Sequence, residues 1–559
     1  MPRPDRRLLL WLLAAFLVLG AGIGLREPTP PDEPRFAMMA QDMVDTGHWL
    51  VPHRGSEIYA EKPPVFMWLQ ASAYALIGDL RIAFLLPSLL AGVLTLWLVH
   101  DLARRLWGPQ AGLAASIALG VCLQFALQAK RAQIDMVVVA MIVGAVWAMG
   151  RHLFLGHSPR WLWLGAFLAG LGTVTKGVGF LPLLMLLPAF LLERRGALPL
   201  PDASRGPWRL RWSLVLPAFV AGTGVWLAPL AFEVLRNPDP ELTAYVAELL
   251  FKQTGERYLN AWHHIKPWWY YSEVIASLWL PGALLLPWLV PAWWRRLREG
   301  DPVTITLLAW VAMVLLFFSA SPGKRGVYIF PALPVLCVAA APLLASLLER
   351  AGVRRTLFGY GLFLASLMGV VGLAGLAGPE EWSAKLAESR GIADGDVQTV
   401  FIGFLVAGVL GLVAIGVTRT QRVVPGLLAV TAVVWTTYGV VLRPALDPSS
   451  SGRTVMAAVA TALPADAELA LVAWTEQMRL QADRPVTDFG FKASGKAQWR
   501  GANVWLAEAP DARWVLARAD TVPACVEATR VVDVGLSNRR AWALVPGSAM
   551  AGCTEADLH

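Results

Sequence analysis

Long apolar runs separated by short polar ones set the pattern of this chain. Stretches long enough to cross roughly 30 Å of hydrocarbon fall at about 8–25, 80–100, 111–129, 132–150, 160–175, 177–193, 211–234, 271–292, 303–320, 326–348, 356–377, 399–418 and 424–442. That pattern predicts about thirteen transmembrane helices; the fifth and sixth are short and could also be one long or broken helix. The first run follows "MPRPDRR" as a signal peptide would, but "GAGIGLREPTPPDEP" lacks a small-x-small cleavage site, so it reads as a retained helix. Residues 443–559 are much more polar, and the strand-like pieces "LALVAW" and "RWVLARA" between loops predict a soluble α/β domain. The expected architecture is a polytopic α-helical membrane protein, with a transmembrane domain over 1–442 and an α/β domain over 443–559.

Composition agrees. Hydrophobic residues make up 56% of 559 positions and charged residues 16%, and the mean hydropathy is +0.53. A soluble chain of this size carries far more charge. Alternate loops, "HDLARRLWG", "RHLFLGHSPR", "ERRGALPLPDASRGPWRLR", "WWRRLREG", "ERAGVRR" and "TRTQRV", are rich in Arg and mark the cytoplasmic side. The odd helix count then puts the C-terminal domain on the other side, with the loops at about 26–66, 235–270 and 378–398. In this topology all nine lysines (62, 130, 176, 252, 266, 324, 385, 492 and 496) lie on that second side. Positive charge there runs against the orientation rule, and an anionic ligand at that surface, a lipid phosphate or diphosphate, explains it. Cys122 and Cys337 read as packing residues in apolar helices, whereas Cys525 and Cys553 lie in the exported domain, where a disulfide fits. The sequence has no Gly-rich nucleotide loop, no Cys/His zinc spacing and only scattered basic residues, so neither nucleotide nor nucleic acid is an expected partner.

The second-side loops hold the candidate chemistry. In "PDEPRFAMMAQDMVD", Asp32 precedes a helix with Pro34 in its first turn, and apolar residues recur from Phe36 to Val44 at helical spacing. An amphipathic helix in the interface plane is expected, with Asp32 either its cap or a functional carboxylate. A second short interfacial helix starts near Pro63, directly after Glu61 and Lys62. Lys62 there opposes the positive end of the helix dipole unless an anion lies nearby. "LQAKRAQIDMVVV" puts Asp135 at a helix edge, as a functional acid or as a partner of Lys130 or Arg131. "GTVTKGVGF" sets Lys176 at a Gly-rich turn, and "SPGKRGVYIFPALP" gives Lys324, Arg325 and Tyr328. "FKQTGERYLNAWHHIKPWWYY" carries Arg257, His263, His264 and an aromatic belt of the interfacial kind. Either histidine could share a divalent cation (Zn, Mg or Mn) with Glu61.

Taken in order, "DEPRFAMMAQDM", "GHWLVPH", "YAEKPPVFMW", "AKRAQIDM", "TKG", "HHIKPWWYY" and "SPGKRGVYIFPALP" resemble the membrane-embedded, lipid-sugar-dependent glycosyltransferases related to protein O-mannosyltransferases, the GT-C type. Within these the chain is most similar to the ArnT-type aminoarabinose transferases, specifically over about residues 1–345 and in layout beyond. The resemblance implies transfer of 4-amino-4-deoxy-L-arabinose from undecaprenyl phosphate to a lipid A phosphate at the periplasmic face of a bacterial inner membrane, by a monomer that confers polymyxin resistance. It implies Asp32 and Asp135 as catalytic carboxylates and Lys62, Lys324 and Tyr328 as contacts to the donor phosphate, to which Tyr59, Arg35, Lys176 and Arg257 are added as candidates from their loops. It also implies a metal near Glu61, with either His263 or His264. Two other readings stand beside this one: a related transferase with another sugar or acceptor, and a lipid or solute transporter. The transporter reading is weaker because the ionisable residues gather at one face, without the inverted repeat and midplane charges of such proteins.

Overall fold

The computed structural model describes residues 6–156, 158–198, 214–249 and 265–558. Helix covers part of every expected apolar stretch, but not every stretch is a full span. Among the described residues, eight helices are long and apolar enough to cross a membrane, or ten if each of two bent pairs is one span. Pro109–Gly120 meets Leu123–Ala129 at 73°, and Tyr270–Leu278 meets Gly282–Arg298 at 100°. Pro281, which cannot donate a backbone hydrogen bond, sits at the second break.

The count of thirteen complete spans is therefore not reproduced. The first run is a 15-residue helix, Arg6–Gly20. The run at 177–193 is a 3-10 turn, Leu181–Met185, leading into the nine-residue helix Leu186–Arg194. Average hydropathy registers apolar length and is blind to prolines that interrupt the hydrogen-bond ladder. At the far end the membrane part continues beyond its expected limit: the last candidate span is Val423–Ser450. "RPALDPSS", which polarity assigns to the soluble domain, is its final helix, Arg443–Ser450.

The first loop folds against protein on both sides. Helix Glu33–Thr46 has proline in its first turn and ends at Gly47, whose φ of 77° lets its N–H reach the Met43 carbonyl. The expectation of one apolar face lying in the membrane plane is too simple, because the run "FAMMA" covers more than one face. Phe36 packs edge-on against Phe66 of helix Val65–Ile77, within the core of the membrane bundle. Met38 instead joins the core of the C-terminal domain. Between the two helices, strands β1 (His53–Arg54) and β2 (Glu57–Ile58) form a small hairpin. Its turn glycine, Gly55 (φ 68°), lies so close to the C-terminal domain that a Cβ would come within 2.6 Å of an Asp488 carboxylate oxygen.

The C-terminal domain contains a five-stranded mixed sheet in the order β4-β3-β5-β7-β6, formed by β3 (Glu468–Val472), β4 (Val486–Asp488), β5 (Arg513–Arg518), β6 (Val532–Ser537) and β7 (Arg540–Pro546). β3 runs parallel to β4 and β5, and β7 is antiparallel to β5 and β6. Both sheet faces are covered: Leu469, Leu471 and Leu516 pack with helix Arg453–Ala462, and Ala470, Val515 and Val545 with helix Gly495–Glu508. Continuous apolar strands follow from that two-sided burial. Cys525 and Cys553 are disulfide-bonded, while Cys122 and Cys337 are buried thiols.

Candidate functional site

Asp32 precedes the first turn of helix Glu33–Thr46 but does not cap it; no side-chain bond closes that helix end. Its carboxylate instead accepts from the Gln133 amide at 2.9 Å and faces Arg325 at 3.7 Å. Gln133 immediately precedes helix Ile134–Leu155, whose first turn holds Asp135. Asp135 pairs with neither Lys130 nor Arg131; its ion-pair partner is Lys176, at the end of helix Pro159–Lys176. The Lys176 ammonium also lies 5.5 Å from the centre of the Tyr328 ring. Tyr328 closes a turn back to Arg325, its N–H bonded to the Arg325 carbonyl at 3.0 Å. These contacts form a closed ring through Asp32, Gln133, Asp135, Lys176, Tyr328 and Arg325. Five of the residues singled out in the sequence, Asp32, Asp135, Lys176, Arg325 and Tyr328, are thus brought together from four distant parts of the chain.

Lys324, next to Arg325, is buried and turned elsewhere: its ammonium donates to the carbonyls of Ser321 at 2.6 Å and Lys266 at 3.3 Å. Lys130 likewise donates to the carbonyls of Val18, Leu19 and Ala21, stitching the end of the first helix in place. Its role is local structure, favourable because a helix C-terminus concentrates negative potential.

One helical turn beyond Asp32 a second group begins. Arg35 faces Glu61 at 3.9 Å, and Arg54 faces the other Glu61 oxygen at 3.9 Å. Tyr59 is buried beside them, and burial, then the Glu61 carboxylate, push its hydroxyl above the ordinary tyrosine value. It therefore remains a neutral donor at any physiological pH. Lys62 is half-buried in the same turn, ahead of helix Val65–Ile77.

The expected metal set can be followed only at Glu61 among the described residues. Two guanidiniums face Glu61, and among the described residues no group of three His, Cys, Asp or Glu side chains is placed to hold a metal. His263, His264 and the expected phosphate contact Arg257 lie outside the described residues.

Several residues of this region had no sequence signal strong enough to single them out. Glu33 is buried and receives both arms of the Arg26 guanidinium at 2.5 and 2.8 Å, the Thr29 N–H at 3.1 Å and the Ala132 N–H at 3.1 Å. Arg443, from the last membrane helix, stands 3.6 Å away. This carboxylate pins the loop that carries Asp32 to the loop that carries Gln133. Glu476 of the C-terminal domain, 441 positions from Arg35, accepts from Arg35 Nε at 2.9 Å and pairs with Arg54. Glu33 reads in sequence as an ordinary first-turn acid, and nothing local points to Glu476.

Residues 61–206 match the family described as dolichyl-phosphate-mannose-protein mannosyltransferase. Over 421 residues the chain is 30% identical to an undecaprenyl phosphate-alpha-4-amino-4-deoxy-L-arabinose arabinosyl transferase of Sodalis glossinidius, covering 73% of this chain and 70% of that one. The chain belongs to this arabinosyl transferase family. A relative from Pseudomonas fluorescens is 31% identical over 58% of this chain and 55% of its own length, so the match spans only a little over half of that protein. The fold is shared with the crystal structure of ArnT from Cupriavidus metallidurans bound to undecaprenyl phosphate, at 21% identity and a TM-score of 0.73, covering 99% of this chain and 100% of that one.

Proposed function

We propose that this protein transfers 4-amino-4-deoxy-L-arabinose from undecaprenyl phosphate to a phosphate of lipid A, at the periplasmic face of the bacterial inner membrane. The observation that carries the proposal is the ring joining Asp32, Asp135, Lys176 and Tyr328, one helical turn from Arg35 and Glu61, in a chain of the arabinosyl transferase family. The Cupriavidus protein of the same fold was solved with undecaprenyl phosphate, in keeping with a polyprenyl phosphate donor here. The Cys525–Cys553 disulfide supports an oxidising compartment for the C-terminal domain.

In this reading the bond between the anomeric carbon and the donor phosphate oxygen breaks, and its electron pair leaves with undecaprenyl phosphate. An oxygen of the lipid A phosphate forms the new bond to that carbon. Arg35, Lys62 and Lys176 stabilise charge on the leaving phosphate, and Tyr59 and Tyr328 supply hydroxyl donors. The expected contacts Lys324 and Arg257 join them in this proposal, Lys324 through a change of partners from its two carbonyls. The acceptor phosphate is already an anion near neutral pH, so no strong base is required. Asp32 and Asp135 then orient the sugar and stabilise positive charge developing at the anomeric carbon. With a hydroxyl acceptor, as the mannosyltransferase match would suggest, Asp32 has to remove a proton instead.

The purified protein, given labelled undecaprenyl phosphate-aminoarabinose and lipid A, should yield lipid A carrying the added sugar by mass spectrometry. Lys62→Ala should abolish use of the donor while leaving the protein inserted. Asp32→Asn distinguishes the acceptors: loss of a true base costs about 100-fold or more, whereas a phosphate acceptor leaves a smaller loss. If no sugar reaches lipid A, the assignment of acceptor fails and transfer to another lipid or to protein takes its place.

A further inference from the structure

Two arginines and two glutamates meet where the first loop touches the C-terminal domain, and their distances are unequal. Arg35 and Arg54 both contact a single oxygen of Glu476, Arg35 Nε at 2.9 Å, but each lies 3.9 Å from Glu61. The Glu476 side chain is 8% exposed, against 35% for Glu61. The Arg54 guanidinium also stacks over the Phe491 ring, 3.3 Å from its centre. The two cations are therefore held from the side of the C-terminal domain and only loosely by the loop residue beside them.

We propose that Glu476 is a positioning residue through which the C-terminal domain completes the donor-phosphate site. It rests on the reading that this face binds a polyprenyl phosphate. A guanidinium has five N–H donors in a fixed fork. Engaging Arg35 through Nε leaves Nη1 directed toward the partly exposed Glu61. Without Glu476, both guanidiniums close onto Glu61 and neutralise it, and neither is presented to an incoming phosphate. Glu476 is not needed simply to dock the domain. The Ser56 hydroxyl and N–H bond Asp488, the Lys492 N–H bonds Glu57, and Met38 is buried in the domain core. Of the domain's side chains that touch these arginines, Phe491 stacks on Arg54, whereas Glu476 bonds both Arg35 and Arg54.

The test measures binding of undecaprenyl phosphate, without sugar or acceptor, to the full-length protein in nanodiscs. Glu476→Gln should weaken binding about tenfold, equivalent to about 1.4 kcal/mol, and Glu476→Asp should recover part of it. Adding Glu476→Gln to Arg35→Ala should cost little more than Arg35→Ala alone, because the two act as a unit. Asp488→Asn, at the same interface but bonded to Ser56 and Arg479 and to neither Arg35 nor Arg54, should lower the thermal midpoint and leave affinity unchanged. Wild-type affinity in Glu476→Gln, or full additivity with Arg35→Ala, would overturn the proposal while the functional reading stands. A wild-type protein that does not bind undecaprenyl phosphate removes both. If Glu476→Gln fails to fold, equal affinity of Glu476→Asp and Asp488→Asn to wild type overturns it as well.

Discussion

Glu33 and Asp42 lie on the same helix and titrate in opposite directions. Burial raises the Glu33 carboxyl, but Arg26 and then Arg443 override it, and the result is about 2. Because that value lies below the ordinary one of 4.5, ionised Glu33 stabilises the fold above about pH 4.5, and this contribution is lost as pH falls toward 2. Glu33→Gln strands the buried Arg26 guanidinium and deprives the half-buried Arg443 of its carboxylate, and loss of one partner of a buried pair costs about 3–5 kcal/mol. Its thermal midpoint should fall sharply at pH 7, and the difference from wild type should shrink at the acid end. Burial raises Asp42, with Asp45 and Asp488 adding to it and Arg479 opposing, to about 6 from 3.8. Here the protonated form is favoured in the fold, so the ionised carboxylate is a cost fully present above pH 6 that fades toward pH 4. Asp42→Asn should therefore stabilise the protein at pH 7 by on the order of 1–2 kcal/mol, part of the shift being screened by solvent. Unfolding midpoints of both variants across pH check the pair, and a stabilised Glu33→Gln or a destabilised Asp42→Asn at pH 7 would contradict it. Of these residues, sequence spacing identifies Asp32 and Asp135 because each carboxylate borders an apolar run. It passes over Glu33, which looks like an ordinary first-turn acid.

At the level of helices, apolar length was legible and its interruptions were not. Each expected run is helical somewhere, yet bends of 73° and 100° and the short turns near Pro182 and Pro281 break the continuity that averaging assumes. Close helix crossings are equally hidden. Helix Pro159–Lys176 meets helix Val215–Arg236 through a reciprocal glycine contact. A Cβ on Gly170 would run into the Phe219 carbonyl, and one on Gly222 into the Phe167 carbonyl. Small residues permit such backbone approach, from which helices in lipid gain their packing. Gly222→Ala should force the pair apart and lower stability by about 1–3 kcal/mol. Two residues on, Gly224 has nothing within 4 Å of its would-be Cβ. There the same change should be neutral or stabilise by up to about 1 kcal/mol, from better helix propensity. Thermal unfolding of the two single variants in one detergent decides it; equal effects would show that the crossing carries no such constraint.

For the molecule as a whole, the lysine pattern pointed to a charged face, and of those lysines Lys176 joins the ring while Lys130 and Lys324 bond backbone carbonyls. The part played by the C-terminal domain was not readable. Its contacts with the first loop link residues more than 400 positions apart, as in Arg35 with Glu476 and Ser56 with Asp488, and neither end has a motif of its own. The same arrangement predicts sidedness. The native cysteines are either disulfide-bonded or buried, so engineered thiols report against a quiet background. Ala465 lies exposed in the C-terminal domain, and Ala384 lies exposed beside Lys385 in helix Glu380–Arg390, just before Gly391, which abuts Leu536 of that domain. Ala351 is exposed at the other end, among Arg350, Arg354 and Arg355. Ala465→Cys and Ala384→Cys should react with an impermeant maleimide in spheroplasts, and Ala351→Cys only once the membrane is opened. If Ala351→Cys labels first, the arginine-rich loops face outward and the donor and acceptor would have to be sought in the cytoplasm.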